Sequence, residues 1–244
     1  MGKILTVDIG NTLTKLCVFE DGSLVHAAAG ADLGPVEVEA MFDWHTIDGV
    51  AYCRVGKDAK GLGEWLKNCG LPYVIVDAAC RLPIKLNYGT PRTLGADRIA
   101  AAVGAVASGE SALVIDAGTA VTSDLVVKGV FMGGNISPGL ALRFRSLHRY
   151  TSALPEVDAE GPVPEFGSDT ETAIRAGVVR GLVAQLAADF RAAFDIDNDM
   201  KMVLTGGDAA FLRPWLEKEN IPVSVVPSAV GLGMVRIFNY NNDL

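Results

Sequence analysis

Leu5-Thr6-Val7-Asp8-Ile9-Gly10-Asn11-Thr12-Leu13-Thr14 and Leu113-Val114-Ile115-Asp116-Ala117-Gly118-Thr119-Ala120-Val121-Thr122 are two versions of one pattern. In each, an apolar run ends on aspartate and bends at Asp-x-Gly. Asp8 aligns with Asp116, Gly10 with Gly118 and Thr14 with Thr122. After each bend comes a second apolar strand, Leu16 to Phe19 or Leu125 to Val127. A turn follows, Glu20-Asp21-Gly22-Ser23 or Lys128-Gly129, then a third strand, Leu24 to Ala28 or Val130 to Met132. Asp-Gly between apolar runs is a hairpin signal. A plain turn has no reason to repeat the same spacing and strand order, so the repeat predicts an internal duplication. The polar turn at Gly109 to Ser111 sets the halves at 1–110 and 111–244.

Helical and extended patterns alternate through the rest of each half. The first half reads as strands at Val50 to Arg54 and Tyr73 to Val76, with helices at Gly63 to Asn68 and Gly95 to Ala107. In the second half the helices fall at Leu140 to His148, Thr170 to Phe194, Ala209 to Glu219 and Gly231 to Phe238. Strands are expected at Met202 to Leu204 and Val223 to Val226. Interleaved strands and helices predict an α/β fold with a mixed sheet, flanked by helices, in each half.

Composition narrows the class. Of 244 residues half are apolar, which is enough to bury a large core and too many for a disordered chain. The longest apolar stretch, Ile99 to Ala107, falls well short of the roughly 20 residues a bilayer core requires, and Asp8 interrupts the N-terminus before a signal-peptide run could form. The expectation is a cytoplasmic protein with no membrane partner. With 21 basic and 29 acidic side chains the net charge is −8, which argues against nucleic acid but leaves small anions open. Cys17, Cys53, Cys69 and Cys80 form no C-x-x-C pair and read as reduced filler; His26, His45 and His148 are too scattered for zinc.

Several segments carry residues suited to chemistry. At Asp8-Ile9-Gly10-Asn11-Thr12, glycine admits a close ligand and successive amides can cradle phosphate; one such bend alone reads rather as an ordinary hairpin turn, and the second copy turns the reading toward phosphate. Thr205-Gly206-Gly207-Asp208 suits adenosine or phosphate at a helix start, or simply connects strand to helix. Asp97 is either a first-turn acid matched to the helix dipole or a general base, and Arg98 either pairs with an anionic ligand or lies on the surface. Met132 to Gly139 reads as a glycine-rich bend. Walker, dinucleotide and serine-hydrolase signatures are missing from the sequence.

Taken in order, Asp8-Ile9-Gly10-Asn11-Thr12, Gly95-Ala96-Asp97-Arg98, Asp116-Ala117-Gly118-Thr119-Ala120-x-Thr122, Gly133-Gly134-x-Ile136-x-Pro138-Gly139 and Thr205-Gly206-Gly207-Asp208 resemble the type III pantothenate kinases. That family belongs to the actin-like, sugar-kinase and heat-shock ATPase superfamily. The resemblance spans essentially the whole chain and implies duplicated actin-like (ribonuclease H-like) domains with a cleft between them. It implies ATP contacts at Asp8, Ile9, Gly10, Asn11, Thr12, Leu13, Thr14, Lys15 and Thr119. It also implies a monovalent cation, K⁺ or NH₄⁺, on Asp116, together with Mg²⁺. Asp97 matches the proton acceptor; Tyr88, Gly95, Ala96, Asp97, Arg98 and Thr170 match the pantothenate contacts, with Thr172 as the competitor of Thr170. The family is homodimeric. Two alternatives share the fold: a nucleotide-binding regulator or scaffold without catalysis, and a kinase for a related sugar or carboxylate.

Overall fold

The computed structural model describes residues 2–31, 33–58 and 60–243. In chain order the elements are β1 (Lys3–Ile9), β2 (Thr14–Glu20), β3 (Ser23–Gly30), α1 (Pro35–Met41), β4 (Gly49–Arg54), α2 (Leu62–Lys67), β5 (Tyr73–Ile75), β6 (Lys85–Leu86) and α3 (Ala96–Ala105). They continue as β7 (Ala112–Ala117), β8 (Ala120–Val127), β9 (Val130–Pro138), α4 (Leu140–Tyr150), α5 (Thr170–Phe194), β10 (Lys201–Thr205), α6 (Ala209–Lys218), β11 (Val223–Val225) and α7 (Ala229–Asn241).

The duplication is written in the strand orders. One sheet runs β3-β2-β1-β4-β5, and the other runs β11-β10-β7-β8-β9-β6. Read from the other edge, the second is β9-β8-β7-β10-β11 with the short β6 added outside β9, so each copy sets its first strand at the centre. β1 pairs antiparallel with β2 and parallel with β4, and β7 pairs parallel with β10. Both anticipated hairpin turns form. Asp21 and Gly22 have φ of 50° and 79°, and Lys128 and Gly129 have 49° and 75°. Two consecutive positive φ values make the type I′ geometry whose twist matches flanking strands.

The chain divides into two compact units. One comprises Met1–Glu110, Val126–Gly133 and Ser228–Leu244, and the other Ser111–Leu125 and Gly134–Pro227. A single cut at 110/111 therefore does not describe the compact units, because the C-terminal helix packs in the first. There α7 lies along α3, Gly231 faces Phe19 and Thr6, and the buried Phe238 fills the space over Gly49. Arg236 of α7 also caps α3: its guanidinium donates to the carbonyls of Val103 (2.8 Å), Gly104 (3.2 Å) and Val106 (2.8 Å), which have no partner within the helix.

Apolar alternation explains the core. In the first unit Leu5, Val7, Ile9, Leu16, Val18 and Val50 meet Val38 of α1 and Leu62 and Leu66 of α2. In the second, Leu113, Val114 and Ile115 and Met202, Val203 and Leu204 are buried, as are Val179, Leu182 and Leu186 of α5 and Leu212 and Leu216 of α6. β1 and β7 are buried on both faces, β1 with Thr6 and Asp8 among its buried residues. No described helix is long and apolar enough to cross a membrane.

Two expectations need correction. Met132 to Gly139 is not a bend: β9 continues through Gly133 and Gly134 to Pro138. Glycine is needed there for close packing, since a side chain on Gly134 would strike Ser123 and Asp124. The match of Thr14 to Thr122 is also offset. The first hairpin closes from Gly10 N–H to the Leu13 carbonyl, whereas the second closes one residue sooner, from Gly118 to Ala120. Val121, not Thr122, therefore stands where Thr14 stands.

Candidate active site

Asp8 and Asp116 are each the penultimate residue of an interior strand, β1 and β7. Ligands of open α/β sheets bind outside the carboxyl ends of such strands.

In the first unit Asp8 is only 8 % exposed. Its register partners are Lys15 on β2 and Cys53 on β4, so the three side chains share one face. The Cys53 thiol donates to Asp8 Oδ1 at 3.3 Å. Burial pushes that thiol well above its ordinary pKa, and the carboxylates of Asp8 and Asp97 add to the effect while Lys15 opposes it. Asp97 therefore acts on the same group as Asp8. The bend itself, Gly10 to Leu13, is pinned from below, where Val55 and Gly56 both donate N–H to the Ile9 carbonyl at 2.9 Å. Residues 9–14 line a hollow of about 450 Å³ with Lys57 and Asp58. Asn11, Thr12 and Leu13 are exposed there and Thr14 is buried; Lys15 is exposed on the face it shares with Asp8.

Asp97 lies in the first turn of α3, half-buried, with its Oδ1 accepting the Arg98 N–H at 2.8 Å. Arg98 is buried, and its guanidinium stands 6.0 Å from the Tyr88 ring centre and 5.8 Å from that of Phe131. Those rings meet edge to face at 6.0 Å, and Asn87 donates its N–H to the Phe131 carbonyl. Phe131 thus orders both Arg98 and Tyr88, which sequence reading left out. Cys53 was likewise read as filler. The available signal for Cys53 was its place near the carboxyl end of a predicted strand, Val50 to Arg54.

In the second unit two backbone segments converge on the Asp116 bend. Asp208 donates its N–H to the Ala117 carbonyl (3.0 Å), and Gly139 donates to the Thr119 carbonyl (2.9 Å). The approach is close enough that a side chain on Gly139 would overlap the Gly118 carbonyl. One on Gly206, where φ is +91°, would sit 2.5 Å from both the Ala117 oxygen and Asp116 Oδ1. The helices opening at Gly139 and Asp208, α4 and α6, thus begin beside this bend. Helix starts present unpaired N–H groups and positive potential. Thr119 is exposed at the tip. Leu140, Phe144, Val157, Phe211 and Asp208 border a hollow of about 400 Å³, and burial raises the Asp208 pKa.

Thr170 opens α5 and is exposed. The structure separates it from Thr172, whose hydroxyl donates to the Asp169 carbonyl and accepts from the Asp169 N–H, both at 3.3 Å, completing a capping box. Asp8 to Lys15, Tyr88 and Gly95 to Arg98 therefore belong to the first unit, and Asp116, Thr119 and Thr170 to the second.

Comparison with known proteins fits this geometry. The sequence profile of the family described as type III pantothenate kinase matches residues 4–191. Type III pantothenate kinases of Bacteroides fragilis and Phocaeicola vulgatus are 36 % and 37 % identical over 241 and 245 residues, covering 98 % of this chain and 98 % and 99 % of theirs. Among solved structures, a conserved Baf family protein from Campylobacter jejuni superposes with a TM-score of 0.68 at 22 % identity, covering 98 % of this chain and 100 % of that one. The ROK hexokinase of Thermus thermophilus gives 0.57 at 14 % identity, covering 99 % and 100 %. At such identities these structures establish the actin-like α/β fold and nothing further. The sequence relatives establish more: this chain belongs to the type III pantothenate kinase family, a family of kinases.

Proposed function

We propose that this protein transfers the γ-phosphoryl group of ATP to the primary hydroxyl of pantothenate, giving 4′-phosphopantothenate and ADP, the first step of coenzyme A synthesis. The observation that carries this reading is the pair of Asp-x-Gly bends at the carboxyl ends of β1 and β7, in a chain whose family model and relatives are kinases for this substrate. Residues 1–110 and 111–244 are then the two duplicated halves, the C-terminal helix having returned to pack on the first.

Phosphoryl transfer is mostly positioning and charge stabilisation. Asp8 to Lys15 and Thr119 take the phosphates, and the N–H groups at the starts of α4 and α6 suit the same charge. The 400 Å³ hollow beside Asp208 receives the nucleoside end. Among the described residues no three His, Cys, Asp or Glu side chains form a metal cage. Mg²⁺ keeps several waters and uses one or two carboxylates plus substrate phosphates; Asp8 is the carboxylate that would hold it, and the ion would supply charge neutralisation on the phosphates. Asp116, with the Ala117 carbonyl beside it, offers the oxygen donors a K⁺ or NH₄⁺ ion takes. When bound, these cations neutralise triphosphate charge that a chain of net charge −8 cannot.

Asp97 accepts the proton of the attacking hydroxyl. The Arg98 N–H on Oδ1 holds that carboxylate in one orientation. Tyr88, Gly95, Ala96 and Arg98 bind pantothenate, and Thr170 is the better candidate than Thr172 because the Thr172 hydroxyl is committed to its capping box. The enzyme works in the cytoplasm as a homodimer. A coupled ADP-release assay over a panel of small alcohols, with and without K⁺, tests the reading. Pantothenate-dependent, K⁺-dependent release is expected, and Asp97→Asn should lose about 10²-fold or more in kcat while still binding ATP. Release driven by a sugar instead, or ATP binding with no turnover, would replace this assignment with one of its two alternatives.

A further inference from the structure

We infer that Cys53 is a positioning residue for Asp8, its thiol hydrogen bond fixing the plane of the carboxylate that faces the phosphates; this rests on the function proposed above. Cys53 is completely buried, next to the end of β4, and directly beside Asp8 in the parallel register of β1 and β4. One feature separates it from apolar filler: its Sγ is aimed at Asp8 Oδ1 at 3.3 Å, within the range of a sulfur donor. Each contact that holds a carboxylate oxygen in the folded state removes orientational freedom that would otherwise be lost when nucleotide binds. Chain geometry contributes as well, because Val55 and Gly56, the two residues after Arg54, hold the Ile9 carbonyl, so β4 supports the bend through both backbone and side chain.

Substitutions at position 53 distinguish anchoring from filling, since the two predict opposite orders. Cys53→Ser keeps a donor, Cys53→Val fills the volume without one, and Cys53→Ala does neither. Anchoring predicts that KM for MgATP rises roughly three- to tenfold in Cys53→Val and Cys53→Ala, the scale of one net hydrogen bond. Cys53→Ser should stay within about twofold of wild type, as should KM for pantothenate in all three. Filling predicts the reverse, with Cys53→Val as good as wild type and Cys53→Ser the worst; that order overturns the inference. Asp8→Asn is the control for the underlying reading. If it leaves KM for MgATP unchanged, the assignment of Asp8 fails and takes this inference with it. If it raises KM while Cys53→Val does not, only the inference fails. Should the alanine and valine variants not fold, the infrared S–H stretch decides. In the wild-type minus Cys53→Ser difference spectrum the band should lie at hydrogen-bonded frequency and move when Asp8 is replaced by Asn; a band that does not move overturns the inference.

Discussion

Gly233→Ala is expected to destabilise the protein and impair its chemistry at a distance, because α3 and α7 meet backbone to backbone. A methyl group added to Gly233 would lie 2.7 Å from the Ala100 carbonyl carbon and 2.8 Å from the Gly104 nitrogen, and would overlap the Ala100 oxygen. Carbon contacts settle near 3.5 Å, so the helices must part by about 0.7 Å at the nitrogen and by more at the oxygen. Neither obstacle is a flexible side chain that could turn aside. Overpacking of this kind costs at the upper end of the usual range, about 3 kcal/mol, and the better helix propensity of alanine returns about 1 kcal/mol. The net loss of about 2 kcal/mol corresponds to a Tm lower by about 4–8 °C for a chain of this size. Because Asp97 and Arg98 occupy the first turn of α3, shifting that helix also displaces them, and kcat/KM should fall about tenfold or more. Gly177→Ala in α5 isolates the propensity effect, since nothing lies within 4 Å of its added methyl; it should gain about 0.5–1 kcal/mol. Thermal denaturation of both variants, with steady-state kinetics on the first, measures all of this. A Gly233→Ala protein as stable as wild type would refute the close-packing argument.

Arg236→Ala removes the donor that three carbonyls at the end of α3 share, and a loss of about 1.5 kcal/mol is expected by denaturant titration, the low end for a charged donor on a partly exposed site. Asp208→Asn should raise Tm at neutral pH. Burial lifts the Asp208 pKa above its unfolded value, so its ionised form costs stability above the folded pKa, and the gain from asparagine should shrink as the pH falls through that range. Asp169→Ala has the opposite sign. The Thr172 backbone N–H, donating to Asp169 Oδ1 at 2.8 Å, holds the Asp169 carboxyl below its ordinary value of 3.8, so its capping is intact above that pH and is lost as the pH falls further. The Tm difference between Asp169→Ala and wild type should therefore be largest near neutrality and close in acid.

The repeated Asp-x-Gly pattern and the alternation of strands and helices were enough to read a duplicated α/β architecture, since strand alternation, turn residues and segment order are local properties. Asp21-Gly22 and Lys128-Gly129 both became type I′ turns, each with a glycine at the second position, where positive φ carries no steric cost. Most helices and strands lie within a few residues of their anticipated ends. Met132 to Gly139 was misread because glycine signals a bend locally but here serves close packing beside Ser123 and Asp124, a neighbour brought in by the fold. The Thr14–Thr122 alignment failed because counting residues cannot detect a hairpin that closes one residue early.

What the sequence determined by itself is the kind of chemistry on offer: the two aspartate bends, the Gly95-Ala96-Asp97-Arg98 stretch and the Thr205-Gly206-Gly207-Asp208 turn, all contiguous motifs. What only the tertiary structure decided is which side chains govern those motifs from afar. Cys53 reaches Asp8 across 45 positions of chain, Phe131 orders Arg98 and Tyr88, and α7 returns from the C-terminus to cap and brace the helix that carries Asp97. Motifs are fixed by covalent neighbours, whereas hydrogen bonds and ring contacts between distant segments depend on sheet register and helix packing, which exist only once the whole chain has folded.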